Sequence, residues 1–139
     1  MRARNPVTTI RIDLPWQSPP LTANDRLHHH AKARETAAIR RDVHWLAVRH
    51  KLPKGVAHVT VQLHWVPATR RRRDPINLHP TQKALVDALT AGTAKHPGYG
   101  LVADDTPDYV TDQMPIIHPP SSDTTARMWV ELTLTEAPA

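Results

Sequence analysis

The chain has 139 residues, 40 % of them apolar, and a formal charge of +5 from 18 basic against 13 acidic side chains, with no cysteine. That length suits one domain around one core, and the missing cysteines exclude disulfides, thiolate metal sites and a cysteine nucleophile, so any metal must be held by carboxylate or imidazole. No run reaches the roughly 18 to 20 apolar residues of a membrane span, and the start MRARNPVTTIRIDLPW lacks a hydrophobic signal region. The expected setting is therefore the cytoplasm, away from membranes, and the basic balance points to a polyanion such as nucleic acid, although a merely solvated basic surface has the same composition.

Ile10, Ile12 and Leu14 alternate with Arg11 and Asp13, predicting a first strand that stops at Pro15. The segment PWQSPPLTANDRLHHH reads as loop because of its prolines and Asn24-Asp25. From about Ala31 to His50 the apolar residues Ile39, Val43, Leu46 and Ala47 recur at helical spacing, with Arg34, Arg40, Arg41 and Arg49 largely on other faces. Val59, Val61, Leu63 and Trp65 alternate with Thr60, Gln62 and His64 in the clearest strand signal of the chain, closed by Pro67. A second helix is predicted from Pro80 to about Ala91, burying Leu85, Val86 and Leu89, with Lys83, Asp87 and Thr90 opposite. Residues 93–100 read as an inserted loop before LVADDTP, and two strands follow at about 108–117 and 127–134. The expected order is β-α-β-α-β-β: an α/β or α+β domain spanning 1–139, two main helices on a small mixed sheet, with loose ends at 1–9 and 135–139.

Arg70, Arg71, Arg72 and Arg73 follow the best strand and lead directly into Asp74. Such a run repels itself unless an anion offsets it, and guanidinium forks match phosphate well. A nuclease needs basic groups to seat the DNA backbone and carboxylates to hold a hard cation beside the scissile phosphate. Asp104 and Asp105 are the second supply of carboxylate, although Asp before Thr-Pro is also ordinary turn chemistry. Asp87 reads either as a further carboxylate or as an exposed i,i+4 partner of Lys83. His28, His29 and His30 invite a metal reading, but three adjacent side chains are expected to diverge, leaving a polar, DNA-facing loop as the stronger expectation. His79, beside Pro80, is expected to cap or pack.

The segments RRRDPINL at 71–78, QKALVDALT at 82–90 and LVADDTPDYV at 101–110, with LPW at 14–16, Pro19, Pro20, Asn24 and Arg26 upstream, resemble the RusA family of Holliday-junction resolvases of phages and bacteria over roughly residues 10–134. The resemblance implies a homodimer of mixed α/β fold that binds branched DNA, the four-way junction, and cuts two strands symmetrically with Mg²⁺, or Mn²⁺. It places the family's metal-binding and catalytic aspartates on Asp74 and Asp105, with Asp104 beside the latter. Its functional lysine falls on Lys83 if His79-Pro80-Thr81 is an insertion. Asp87 and Asn77 stand as possible further ligands or supports, and the basic grip on DNA falls to Arg70–Arg73, Asn24, Arg26, Arg40 and Arg41. The family pattern Asp-x-Asp-Asn-Leu has Ile76 at its second aspartate here. That loss of a ligand leaves open an alternative, a protein that binds branched DNA with weakened or lost cleavage.

Overall fold

The computed structural model describes residues 6–122 and 125–136. Its elements in chain order are β1 (Val7–Asp13), α1 (His29–Arg49), β2 (His58–Val66), a 3-10 turn (Pro75–Leu78), α2 (His79–Leu89), β3 (Val110–Asp112), β4 (Ile116–Ile117) and β5 (Arg127–Thr135). β5 lies between β1 and β2 and is antiparallel to both, while β3 and β4 pair with the far edge of β2 in parallel. This is an α+β domain with a mixed five-stranded sheet. The parallel pairing follows from chain order: β2 can reach β3 in that sense only through a long crossover, and α2 supplies it.

The period-two alternation read in the sequence sorts the sheet into two faces. Ile12, Val59, Val61, Leu63, Val130, Leu132 and Leu134 are buried together with Ile39, Val43 and Ala47 of α1 and Ala84, Leu85, Val86, Ala88 and Leu89 of α2. α2 is thus apolar on most of its circumference, and Thr81 and Gln82 are buried with it. Each of these polar side chains is bonded, Thr81 Oγ1 to the carbonyl of Leu21 at 2.7 Å and Gln82 Nε2 to that of Gln113 at 2.8 Å. α1 ends in a left-handed residue, Lys51 (φ 52°), whose N–H bonds to Val48 O while that of Leu52 bonds to Ala47 O. The buried Leu52 closes this helix stop.

Several expectations need correction. The stretch read as one strand at 108–117 is two short strands, with the buried Pro115, which has no N–H to give a ladder, just before the second. Val7–Thr9, expected loose, extend β1 and pair with Thr135–Thr133; residues 1–5 and 137–139 of the expected loose ends lie outside the described residues. Thr90, expected on the exposed side of α2, is buried, with Oγ1 bonded to the Asp87 carbonyl. Among the described residues, no helix is long and apolar enough to cross a membrane.

Candidate acidic centre and nucleic-acid interface

The chemistry gathers at the exposed side of α2. Lys83 and Asp87, one helical turn apart, pair at 2.9 Å, and Lys83 Nζ also donates to Asp105 Oδ2 at 2.7 Å. Asp105 comes to α2 because the chain before it is anchored. Leu101 and Val102 are fully buried, Tyr99 N and Leu101 N bond to the carbonyls of Ala88 and Leu89, and Ala91 N bonds to Val102 O. The turn after Val102 then projects Asp104 and Asp105 into solvent beside the helix, where the Asp105 N–H bonds to Asp104 Oδ1 at 2.8 Å.

The hydrogen bond from Lys83 holds the Asp105 carboxyl below the ordinary range, and the bond to Asp105, more than that to Asp87, raises the lysine above its own. The ammonium therefore stays charged. Half of its side chain is in water, so the pair stabilises the fold by only about 0–1 kcal/mol. Asp112, at the end of β3, was not singled out in the sequence, yet it belongs to the same neighbourhood. Crowding by protein raises its pKa, with Asp105 and Asp87 adding to the rise and His79 and Lys83 opposing it. The residue as a whole is open to solvent. His79 and Asp112 face one cleft together with the exposed Ile76.

Asp74 is held differently. Its Oδ1 accepts from the Ile76 N–H at 3.2 Å and caps the 3-10 turn. Among the described residues, no hydrogen bond or ion pair connects Asp74 with Lys83, Asp87 or Asp105. Asn77 accepts from Ala23 N through its carbonyl at 3.0 Å, which docks the Asn24–Arg26 loop against the 3-10 turn.

The arginine run is divided. Arg73 bonds to Thr69 O at 2.7 Å and covers the Trp65 ring at 5.0 Å, so it braces its own loop. Arg70, Arg71 and Arg72 remain exposed, the first two lining a cleft with His118. On α1, Arg40 is half-buried and reaches the carbonyl of His96 at 3.2 Å, while Arg41 is exposed. Arg40 also lines a cleft of about 280 Å³ with Asp87, Asp104 and Asp105, which puts a guanidinium at the edge of the carboxylates.

The three histidines behave unlike the expectation: their ligand atoms lie within 4.8 Å of one another, the only such group of three among the described residues. The cause is the start of α1, where His28 caps the helix by accepting from His30 N at 3.3 Å and the rings of His28 and His29 lie 4.1 Å apart, tilted by 36°.

A second feature missed in the sequence lies on the sheet face away from the helices. His64, His118 and Trp129 form a stack, with the rings of His64 and Trp129 4.8 Å apart, and Arg11 covers Trp129 at 4.3 Å. His64 Nδ1 is 2.9 Å from His118 Nε2, and its Nε2 lies 3.0 Å from Glu131 but outside hydrogen-bond geometry. Burial lowers the His64 pKa, with Glu131 opposing and His118 and Arg11 reinforcing.

No protein-family model matches the chain, and no curated protein is significantly similar to it. The RusA resemblance therefore rests on the quoted residues alone.

Proposed function

We propose that the chain is a metal-dependent, structure-selective DNA endonuclease of RusA type that resolves four-way junctions as a homodimer. The observation that carries this reading is Lys83 shared between Asp87 and Asp105, carboxylates from separate chain segments, with Asp112 beside them and Arg40 at the rim. Carboxylates outnumber the lysine charge there, and hard oxygen donors suit Mg²⁺ or Mn²⁺. Asp105 and Asp87, which meet at Lys83, are the residues that would hold the ion, and Asp112 or Asp104 would have to move closer to complete its ligand set. When bound, the ion would supply charge neutralisation and Lewis acidity at the scissile phosphate.

The chain's own groups supply the rest. Asp105 keeps Lys83 protonated and aimed, and the ammonium's three donors let it hold its carboxylates while offering a hydrogen bond to a phosphoryl oxygen as charge develops there. Arg70, Arg71, Arg72 and Arg41 hold flanking phosphates, so affinity falls steeply with salt. A two-fold dimer presents two such centres to two symmetry-related strands.

A second reading, a branched-DNA-binding protein without cleavage, is favoured by one observation: Asp74 is spent on its own turn and Ile76 has no donor to offer. Incubating a labelled four-way junction with Mg²⁺ separates the two. The nuclease reading expects paired nicks from the wild type and none from Asp105→Asn, with the DNA complex retained in both. A tight complex whose strands stay intact in wild type favours the binder.

A further inference from the structure

A groove of about 570 Å³ lies between the first half of α1 and the hairpin at 93–98. Among the described residues its ionisable lining is cationic or imidazole throughout, His29, Lys32, Arg40, Lys95 and His96, with no carboxylate. Its floor is apolar, made by Ala33, Ala37 and Pro97. Arg40 and His96 also line the neighbouring cleft that contains Asp87 and Asp105, so the two depressions adjoin at the Arg40–His96 contact.

The hairpin wall is built rather than incidental. Gly92 has φ +70°, and a Cβ there would stand 2.3 Å from His96 O; at Gly98 a Cβ would stand 1.9 Å from Thr90 O. Thr93 N bonds to His96 O at 3.1 Å, Gly98 N to Ala91 O at 2.9 Å, and Arg40 fixes the hairpin to α1. What the sequence shows as an inserted loop is a tight turn that holds Lys95 and His96 opposite Lys32.

We propose that this groove seats a single-stranded segment of DNA and leads it to the carboxylates beside Lys83. The volume falls in the range of small-ligand sites, about 300–1,000 Å³, which admits nucleotide units and not the width of a duplex. Phosphates find Lys32, Lys95 and Arg40 at the rim, while sugar and base lie on the apolar floor with imidazoles to stack against, the combination that single-strand sites use. At a branch point the strands part, so an unpaired segment is the form of DNA that could enter. The substrate assignment rests on the nuclease reading, but single-strand binding is measurable without cleavage.

The test is fluorescence anisotropy with a labelled oligothymidylate about a dozen nucleotides long, with a duplex of the same length and poly-glutamate as competitors. Lys32→Glu combined with Lys95→Glu should weaken oligothymidylate binding about ten-fold or more at low salt, whereas Arg71→Glu with Arg72→Glu should weaken it less. Both residues changed in the groove are exposed, and an unchanged melting temperature verifies the fold. The proposal is overturned if the groove variant binds the oligonucleotide as wild type does, or if poly-glutamate displaces it as readily as DNA, which would make the groove a site for acidic peptide. Loss of junction cleavage in Asp105→Asn, or its absence in wild type, bears on the nuclease reading and leaves this result standing.

Discussion

The two acidic arms of the centre are held by opposite means. Asp105 follows Leu101 and Val102, both fully buried, the first bonded to Leu89 at the end of α2 and the second to Ala91 just beyond it, and it meets Lys83 across 22 positions of chain. Asp74 follows four arginines in a solvated loop, and its carboxylate turns back on the nearest backbone donor. A carboxylate flanked by anchored apolar residues is delivered to a distant partner; one flanked by solvated residues satisfies its own turn, as short acidic side chains do.

Four experiments break or sharpen that contrast. The largest effect belongs to Lys83→Ala, which removes the group shared by Asp87 and Asp105. On the nuclease reading, junction cleavage should fall by about 10²–10³-fold, the usual cost of one preorganised electrostatic partner, while thermal stability barely changes. Next is Leu101→Ala, which hollows the anchor of the Asp104–Asp105 arm. It should cost about 2–5 kcal/mol in urea unfolding, and a loss near zero would mean that the arm is not held as described.

The Asp74 arm should respond more weakly. Asp74→Ala removes a cap and should cost about 1 kcal/mol, whereas Asp74→Asn keeps an acceptor for Ile76 N and should leave stability unchanged. Cleavage lost in Asp74→Asn at unchanged stability would show that this carboxylate leaves its turn to join the centre when DNA and metal are present. The smallest effect lies far from both arms: Lys51→Gly relieves a left-handed backbone at the end of α1 and should add up to about 1 kcal/mol.

The pH dependence contrasts the centre with the His64 stack. His64 has a folded pKa below its unfolded value of about 6.5, so the unfolded chain takes up the proton more readily. Stability should be flat above neutrality and decline as pH falls through and below about 6.5, until the folded histidine also protonates. Asp105, lowered by Lys83, adds stability above the ordinary carboxylate range and loses it only on stronger acidification. His64→Gln should remove the first of these declines and leave the second.

Much of the fold was legible because burial imposes a period on the chain. Val59, Val61 and Leu63 alternate as a strand buried on one face must, and Leu85, Val86 and Leu89 recur as a helix stripe must. The break near Pro115 was a missed proline signal. The His64 stack could not be read, since a histidine at the polar phase of an alternating strand has the pattern of a solvent-facing residue. Only the pairing of β2 with β5, which sets His64 opposite Trp129, buries it.

The centre was legible in part. Lys83 with Asp87 follows from helical spacing, whereas the resemblance put Lys83 and Asp105 in one site without naming the ion pair between them. Asp112 carried no local signal, because its place beside Lys83 comes from the parallel pairing of β3 with β2. The capping role of Asp74 was not read for a related reason: next to Pro75 at the head of a turn, cap and metal ligand are the same residue type in the same pattern.

Paramagnetic broadening by Mn²⁺, read residue by residue in a ¹H–¹⁵N spectrum of the protein, tests most directly whether the carboxylates around Lys83 receive a divalent cation. Amide signals of Asp87, Asp105 and Asp112 should broaden first, and Asp105→Asn should abolish the effect. Broadening confined to His28, His29 and His30, or absent from the acidic residues, would contradict it.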